Sequence, residues 1–142
     1  MRHKRMAMFL VAILMAVFAG VTLGQIRSDL GKHEYLSKCA VCHGLTGKGD
    51  GSYFELLKTR VPDITTMTER NKGVFPTERA FQIIDGREML KSHGTREMPI
   101  WGQDYLVQAA QYYGESPYNP EVYVRVRILS LIDYIYTLQS RR

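Results

Sequence analysis

Three residues in this chain have the types and spacing to do chemistry together: Cys39, Cys42 and His43, in the run Cys39-Ala40-Val41-Cys42-His43. Two thiols three positions apart suit a disulfide, a redox pair or half of a zinc site. Each of these fits poorly. A thioredoxin-like pair needs a βαβ setting, and none is visible around residue 39. A structural zinc site needs two more well-spaced ligands, and the chain has only these two cysteines. A plain disulfide leaves His43 unexplained. Cys-x-x-Cys-His is, however, the attachment pattern for c-type haem. On a helix the two thiols lie about one turn apart, in reach of the two vinyl groups of one porphyrin, and the adjacent histidine is placed under the iron.

The elements that must position these residues read as helices. Gln25 to Val41 is helical material, with Leu30, Tyr35, Leu36 and Val41 on a shared face and Ser28 or Asp29 as cap. Gly31 stacks one turn before Tyr35, and a glycine inside a helix marks close approach of another backbone. A glycine-rich loop spans Gly44 to Gly51. With no strand before it, this is not a phosphate-binding fingerprint. A short helix is predicted over Tyr53 to Lys58, a break at Pro62 with Asp63 as the following cap, and a helix over Thr77 to Ile84 that buries Phe81 and Ile84 and stops at Gly86. Arg87 to Gly102 reads as a loop containing Met98, Pro99 and Trp101. A helix from Asp104 through Tyr113 ends at Gly114. Between Glu121 and Gln139, the alternation of Val122, Val124, Val126 and Ile128 hints at a strand. The spacing of Ile128, Leu131, Ile132, Ile135 and Leu138 and the length favour one helix.

The amino terminus carries an address rather than structure. Arg2, His3, Lys4 and Arg5 precede an apolar run from Met6 to Leu23, the pattern of a secretory signal, with a small-residue cleavage site before Gln25. As a helix the run would span about 27 Å, so an uncleaved membrane anchor is the alternative. The expected division is residues 1–24 as signal peptide or anchor and 25–142 as one domain. The positive end stays in the cytoplasm, so both readings export the remainder to the periplasm. The chain has 19 Lys and Arg against 14 Asp and Glu. Three of the basic residues lie in the leader, leaving 16 against 14, a net of +2. That balance gives no nucleic-acid footprint.

The sequence resembles the class I cytochrome c family. The residues carrying the likeness are Gly31-Lys32-His33-Glu34-Tyr35-Leu36-Ser37-Lys38 before the motif, Cys42-His43-Gly44 with Gly47-Lys48-Gly49-Asp50-Gly51 after it, and Leu131-Ile132-x-Tyr134-Ile135 near the end. The likeness covers most of Ser28 to Gln139 and implies an all-α fold, a small helical shell around one covalently bound haem c. It implies single-electron transfer in a respiratory or periplasmic redox chain, between a redox protein donor and acceptor.

The iron's second ligand is expected from Met98, 55 residues beyond His43 and followed by Pro99, a pair similar to the family's distal motif. The expected cofactor-binding set is therefore Cys39, Cys42, His43 and Met98, with His43 and Met98 on the metal. Met89 and His93 are alternatives, Met67 reads as core, and His33 as helix surface. Pro62 resembles the family's proline whose carbonyl accepts the proximal histidine proton. Arg87 and Arg96 are candidates to pair with haem propionates, and Trp101 to hydrogen-bond one. A cytochrome subunit of a dehydrogenase or oxidase complex is the alternative function, with the Tyr105–Tyr118 segment as its docking surface. A haem enzyme or gas sensor needs an open iron position, against which Met98 argues.

Overall fold

The computed structural model describes residues 6, 8, 29–57, 60–86, 101–114 and 116–140. The described residues are helix and loop with no strand, so the fold is all-α as expected. Most of the apolar leader lies outside them, as do Arg87, Met89, His93, Arg96 and Met98. Among the described residues no helix is long and apolar enough to cross a membrane.

Helix α1 covers residues 29–43, with a π-helical stretch over Tyr35–Cys39 and a last turn over Ala40–His43. Its buried side is Tyr35, Cys39 and Ala40, while Leu36 is 43% exposed. The sequence reading put Leu36 on the buried face at α-helical spacing. The π-turn, closed by the Ala40 N–H on the Tyr35 carbonyl, shifts which residues face inward. A 3₁₀ turn over Phe54–Leu56 stands where a helix to Lys58 was expected.

Short helix α2 (Met67–Arg70) precedes α3 (Thr77–Asp85), which ends on Gly86 in the left-handed region (φ 90°), its N–H on the Gln82 carbonyl. The expectation for α3 needs one correction. Ala80 and Ile84 are its buried residues, whereas Phe81 stays at the rim against Arg125, whose guanidinium lies 5.9 Å from the ring centre. Helix α4 (Trp101–Tyr113) begins three residues earlier than predicted, so Trp101 and Gly102 are helical rather than loop.

Helix α5 (Pro120–Thr137) is the longest helix among the described residues and packs against α1, α3 and α4. Asn119 caps it, its side chain accepting from the Glu121 and Val122 N–H groups, with Pro120 in the first turn. The apparent strand alternation resolves at helical spacing: Val124 and Ile128 are buried, while Val122 and Val126 are 57% and 50% exposed. Positions two apart lie on opposite sides of a helix and positions four apart on the same side, so a short alternation mimics a strand.

The crossing of α1 and α5 is set by Gly31. A Cβ there would collide with the Ser130 carbonyl, and the Tyr35 and Tyr134 rings pack beside it with centres 5.3 Å apart. The close approach expected from a glycine in mid-helix is therefore made by α5. The far end of α5 is latched to the segment before α2. Gln139 Nε2 donates to the Ile64 carbonyl at 2.8 Å, and its Oε1 accepts from the Thr68 N–H at 2.9 Å. The Ser140 N–H reaches the Thr65 carbonyl at 2.9 Å.

Candidate functional site

Cys39, Cys42 and His43 sit at the carboxyl end of α1, where the last helical carbonyls lack intrahelical partners. The glycine-rich loop supplies them. Tyr53 N–H donates to the Val41 carbonyl at 3.0 Å, Gly51 N–H to Cys42 at 3.1 Å and Gly49 N–H to His43 at 2.9 Å. A Cβ on Gly51 would strike the Val41 carbonyl, so the loop can fold back this tightly only without a side chain there. The Ile64 N–H donates to the Gly47 carbonyl at 2.9 Å, tying the same loop to the segment that forms the opposite wall. The glycines therefore hold backbone to backbone around the motif.

Cys39 and His43 line a cavity of about 410 Å³, within the size range of cofactor pockets. Tyr35, Ile64, Met67, Ile83, Ile84 and Ile135 make most of its wall apolar, and Pro62 faces it as well. Met67, read from sequence as core, is thus part of the cavity wall. Arg70, Asn71 and Arg79 add the polar lining. The two arginines are cations beside an apolar slot, the arrangement that suits a flat apolar group carrying carboxylates. The cations expected from sequence, Arg87 and Arg96, lie outside the described residues, and Arg70 and Arg79 are not among those expected. Their only signal was position after Pro62 and within α3. Trp101 is placed elsewhere: Lys38 Nζ lies 4.8 Å from its ring centre.

The electrostatics separate the readings of the cysteine pair. Both cysteines are free thiols. Burial, then the Glu34 carboxylate, pushes the Cys39 thiol up to about 12, and burial raises Cys42 too. A redox-exchange pair requires the opposite, a thiol poised to ionise near neutral pH. No group of three or more His, Cys, Asp or Glu among the described residues could hold a metal ion by itself. The Cys39 thiol and the His43 imidazole on an apolar, cation-edged cavity suit a haem held through its vinyl groups, whereas Cys42, three residues on in the same helix, is not among the lining residues.

The family model described as Cytochrome c matches residues 28–111, more than half of the 142-residue chain. The chain belongs to the cytochrome c family. No curated protein and no solved structure matches it. Membership makes this chain a haem-based electron carrier, with covalently bound haem c and its iron and with redox partners. The haem, when bound, supplies an iron that gains and loses one electron; the cytochrome's own residues hold it, exclude water and set its surroundings.

The remaining predicted residues fall out as follows. Met98, Met89 and His93 lie outside the described residues, and His33 is on the exposed side of α1. The Tyr105–Tyr118 segment divides. Tyr105 is fully buried and Tyr112 is 77% exposed, while Tyr113 stacks on Tyr118 with ring centres 4.6 Å apart. Tyr105 therefore belongs to the core and not to a docking surface.

Proposed function

We propose that this cytochrome carries one electron at a time in a respiratory or periplasmic redox chain, on a single haem c bonded to Cys39 and Cys42. His43 is the proximal iron ligand and Met98 the distal one. Cys39 and Cys42 would hold the haem by adding their S–H bonds across its vinyl groups, with sulfur and hydrogen going to neighbouring carbons, an addition that needs no oxidant. With a fixed ligand on each face the iron changes little between oxidation states, which favours electron transfer over substrate chemistry. The observation carrying this reading is the placement of Cys39 and His43 on one wall of an apolar cavity with Arg70 and Arg79 in its lining. The export pattern of residues 1–24 supports a periplasmic location, either free or held by that segment as an anchor.

The test is the visible spectrum of the purified protein, oxidised and reduced, for wild type and Met98→Ala. A low-spin spectrum with the weak sulfur-to-iron band in the wild type, lost in the variant, is expected. Identical spectra would move the distal ligand to Met89 or His93.

A second reading, a cytochrome subunit of a dehydrogenase or oxidase complex, is favoured by the exposed Tyr112, since tyrosine is enriched at interfaces. Recovery from native membranes only within a larger assembly would support it over the free carrier.

A further inference from the structure

One buried charge is not used by the fold or the haem site as described so far. Glu34 is 1% exposed, five residues before Cys39 in α1. Tyr105 of α4 donates its hydroxyl to Glu34 Oε2 at 2.9 Å. Arg127 of α5 forms an ion pair with Oε1 and donates from Nη2 to the Tyr123 hydroxyl at 2.7 Å. Lys38, next to Cys39, is held by Asp104 at 2.7 Å and lies 5.3 Å from the Tyr105 ring centre. The two carboxylates and two cations thus form two pairs, one buried and one nearer the surface.

Stability is a weak reason for the buried pair. Taking both charges out of water costs several kcal/mol per ion, and apolar residues of similar volume often serve as well or better. A second consequence follows from where the pair lies. In a medium of low dielectric a charge acts over longer distances than in water. Glu34 and Cys39 are both buried on α1, five residues apart across its π-helical stretch, so the carboxylate's charge reaches the sulfur through protein rather than water and opposes negative charge there. A field that opposes added negative charge on that sulfur also opposes an added electron on a group bonded to it.

We propose that Glu34 lowers the reduction potential of the haem attached at Cys39, and that Arg127 limits the effect, so that the pair sets the potential at which this carrier works. The proposal rests on the assignment of Cys39 as an attachment site. Glu34 and Arg127 are positioning residues here, acting through charge and not by touching the iron. Tyr105 and Tyr123 hold the two charged groups in register through their hydroxyls.

The experiment is potentiometric titration of the holoprotein's haem absorbance for wild type, Glu34→Gln, Arg127→Gln, the double variant and Arg127→Lys. All variants are measured at one pH and one ionic strength. Glu34→Gln raises the midpoint and Arg127→Gln lowers it, each by up to about tenfold in the one-electron equilibrium, or about 59 mV. The double variant returns toward wild type, and Arg127→Lys stays near it. A loosened fold would move both single variants in the same direction, and that result, or no movement in either, overturns the proposal. If Arg127→Gln does not retain haem, the comparison of Glu34→Gln with the double variant decides, since the double must lie below. Loss of the assignment itself shows separately, as wild-type protein with no haem retained on a denaturing gel.

Discussion

Tyr35 donates its hydroxyl to the Gly44 carbonyl at 2.7 Å, across the nine-residue stretch that contains Cys39, Cys42 and His43. The bond joins the start of the π-turn to the first residue beyond the helix, so the Cys-x-x-Cys-His motif is clamped at both ends. Burial, and to a lesser degree the charges of neighbouring groups, raises the Tyr35 pKa, which keeps the phenol protonated and a donor across the physiological range.

Tyr35→Phe should therefore leave the Gly44 carbonyl without this donor in a buried site. The expected cost is about 1–3 kcal/mol, read as a lower midpoint in urea denaturation of the holoprotein. An unchanged midpoint would mean that the clamp contributes nothing.

Gly31 lies against the Ser130 backbone, where a side chain has no room. Gly31→Val should force α1 and α5 apart and destabilise by about 1–3 kcal/mol or more. Because Tyr35 and Tyr134 pack at the same crossing, the near-ultraviolet circular dichroism of the tyrosines should change with it. A variant as stable as wild type would show that the crossing is looser than described.

Asp63 Oδ1 accepts from the Thr65 hydroxyl at 2.6 Å and from the Thr65 N–H at 2.8 Å. The hydroxyl bond is the main cause of its lowered pKa. A carboxylate more acidic in the folded state than in the unfolded state stabilises the fold above the usual aspartate value of about 3.9, and this is lost as pH falls through that value toward the folded pKa. Asp63→Asn should flatten the loss of stability between about pH 5 and 2, measured by thermal unfolding across that range. Equal slopes for the two proteins would remove Asp63 from the acid response.

Arg70 and Arg79 line the cavity and are placed to meet the carboxylates of a bound haem. Replacing either by Gln takes a positive charge from beside the haem and should lower its midpoint potential. The Arg70 variant should also loosen the Pro62–Asp63 segment, because Arg70 Nη2 donates to the Asp63 carbonyl at 2.9 Å. Potentials unchanged in both variants would place the haem carboxylates elsewhere.

Local pattern alone carries the proposed haem attachment. Cys39, Cys42 and His43 are neighbours in the chain, and one helical turn brings the thiols to a spacing that any helix would give them. The all-α class is what the resemblance to the cytochrome c family implied, while periodicity gave the helical reading of α5 and the role of Gly31 came from a glycine placed where helix propensity disfavours it. These readings depend on residues close in sequence, where geometry is nearly set by the backbone. What required the tertiary structure was every relation between distant segments. Arg70 and Arg79 became cavity residues only when α2 and α3 folded over the motif. Leu36 turned outward because a π-turn, invisible in composition, altered the helical phase. The pairing of Glu34 with Arg127 joins residues 93 apart in the chain. Only the packing of α1, α4 and α5 removes Glu34 from water and brings it both the Arg127 guanidinium and the Tyr105 hydroxyl.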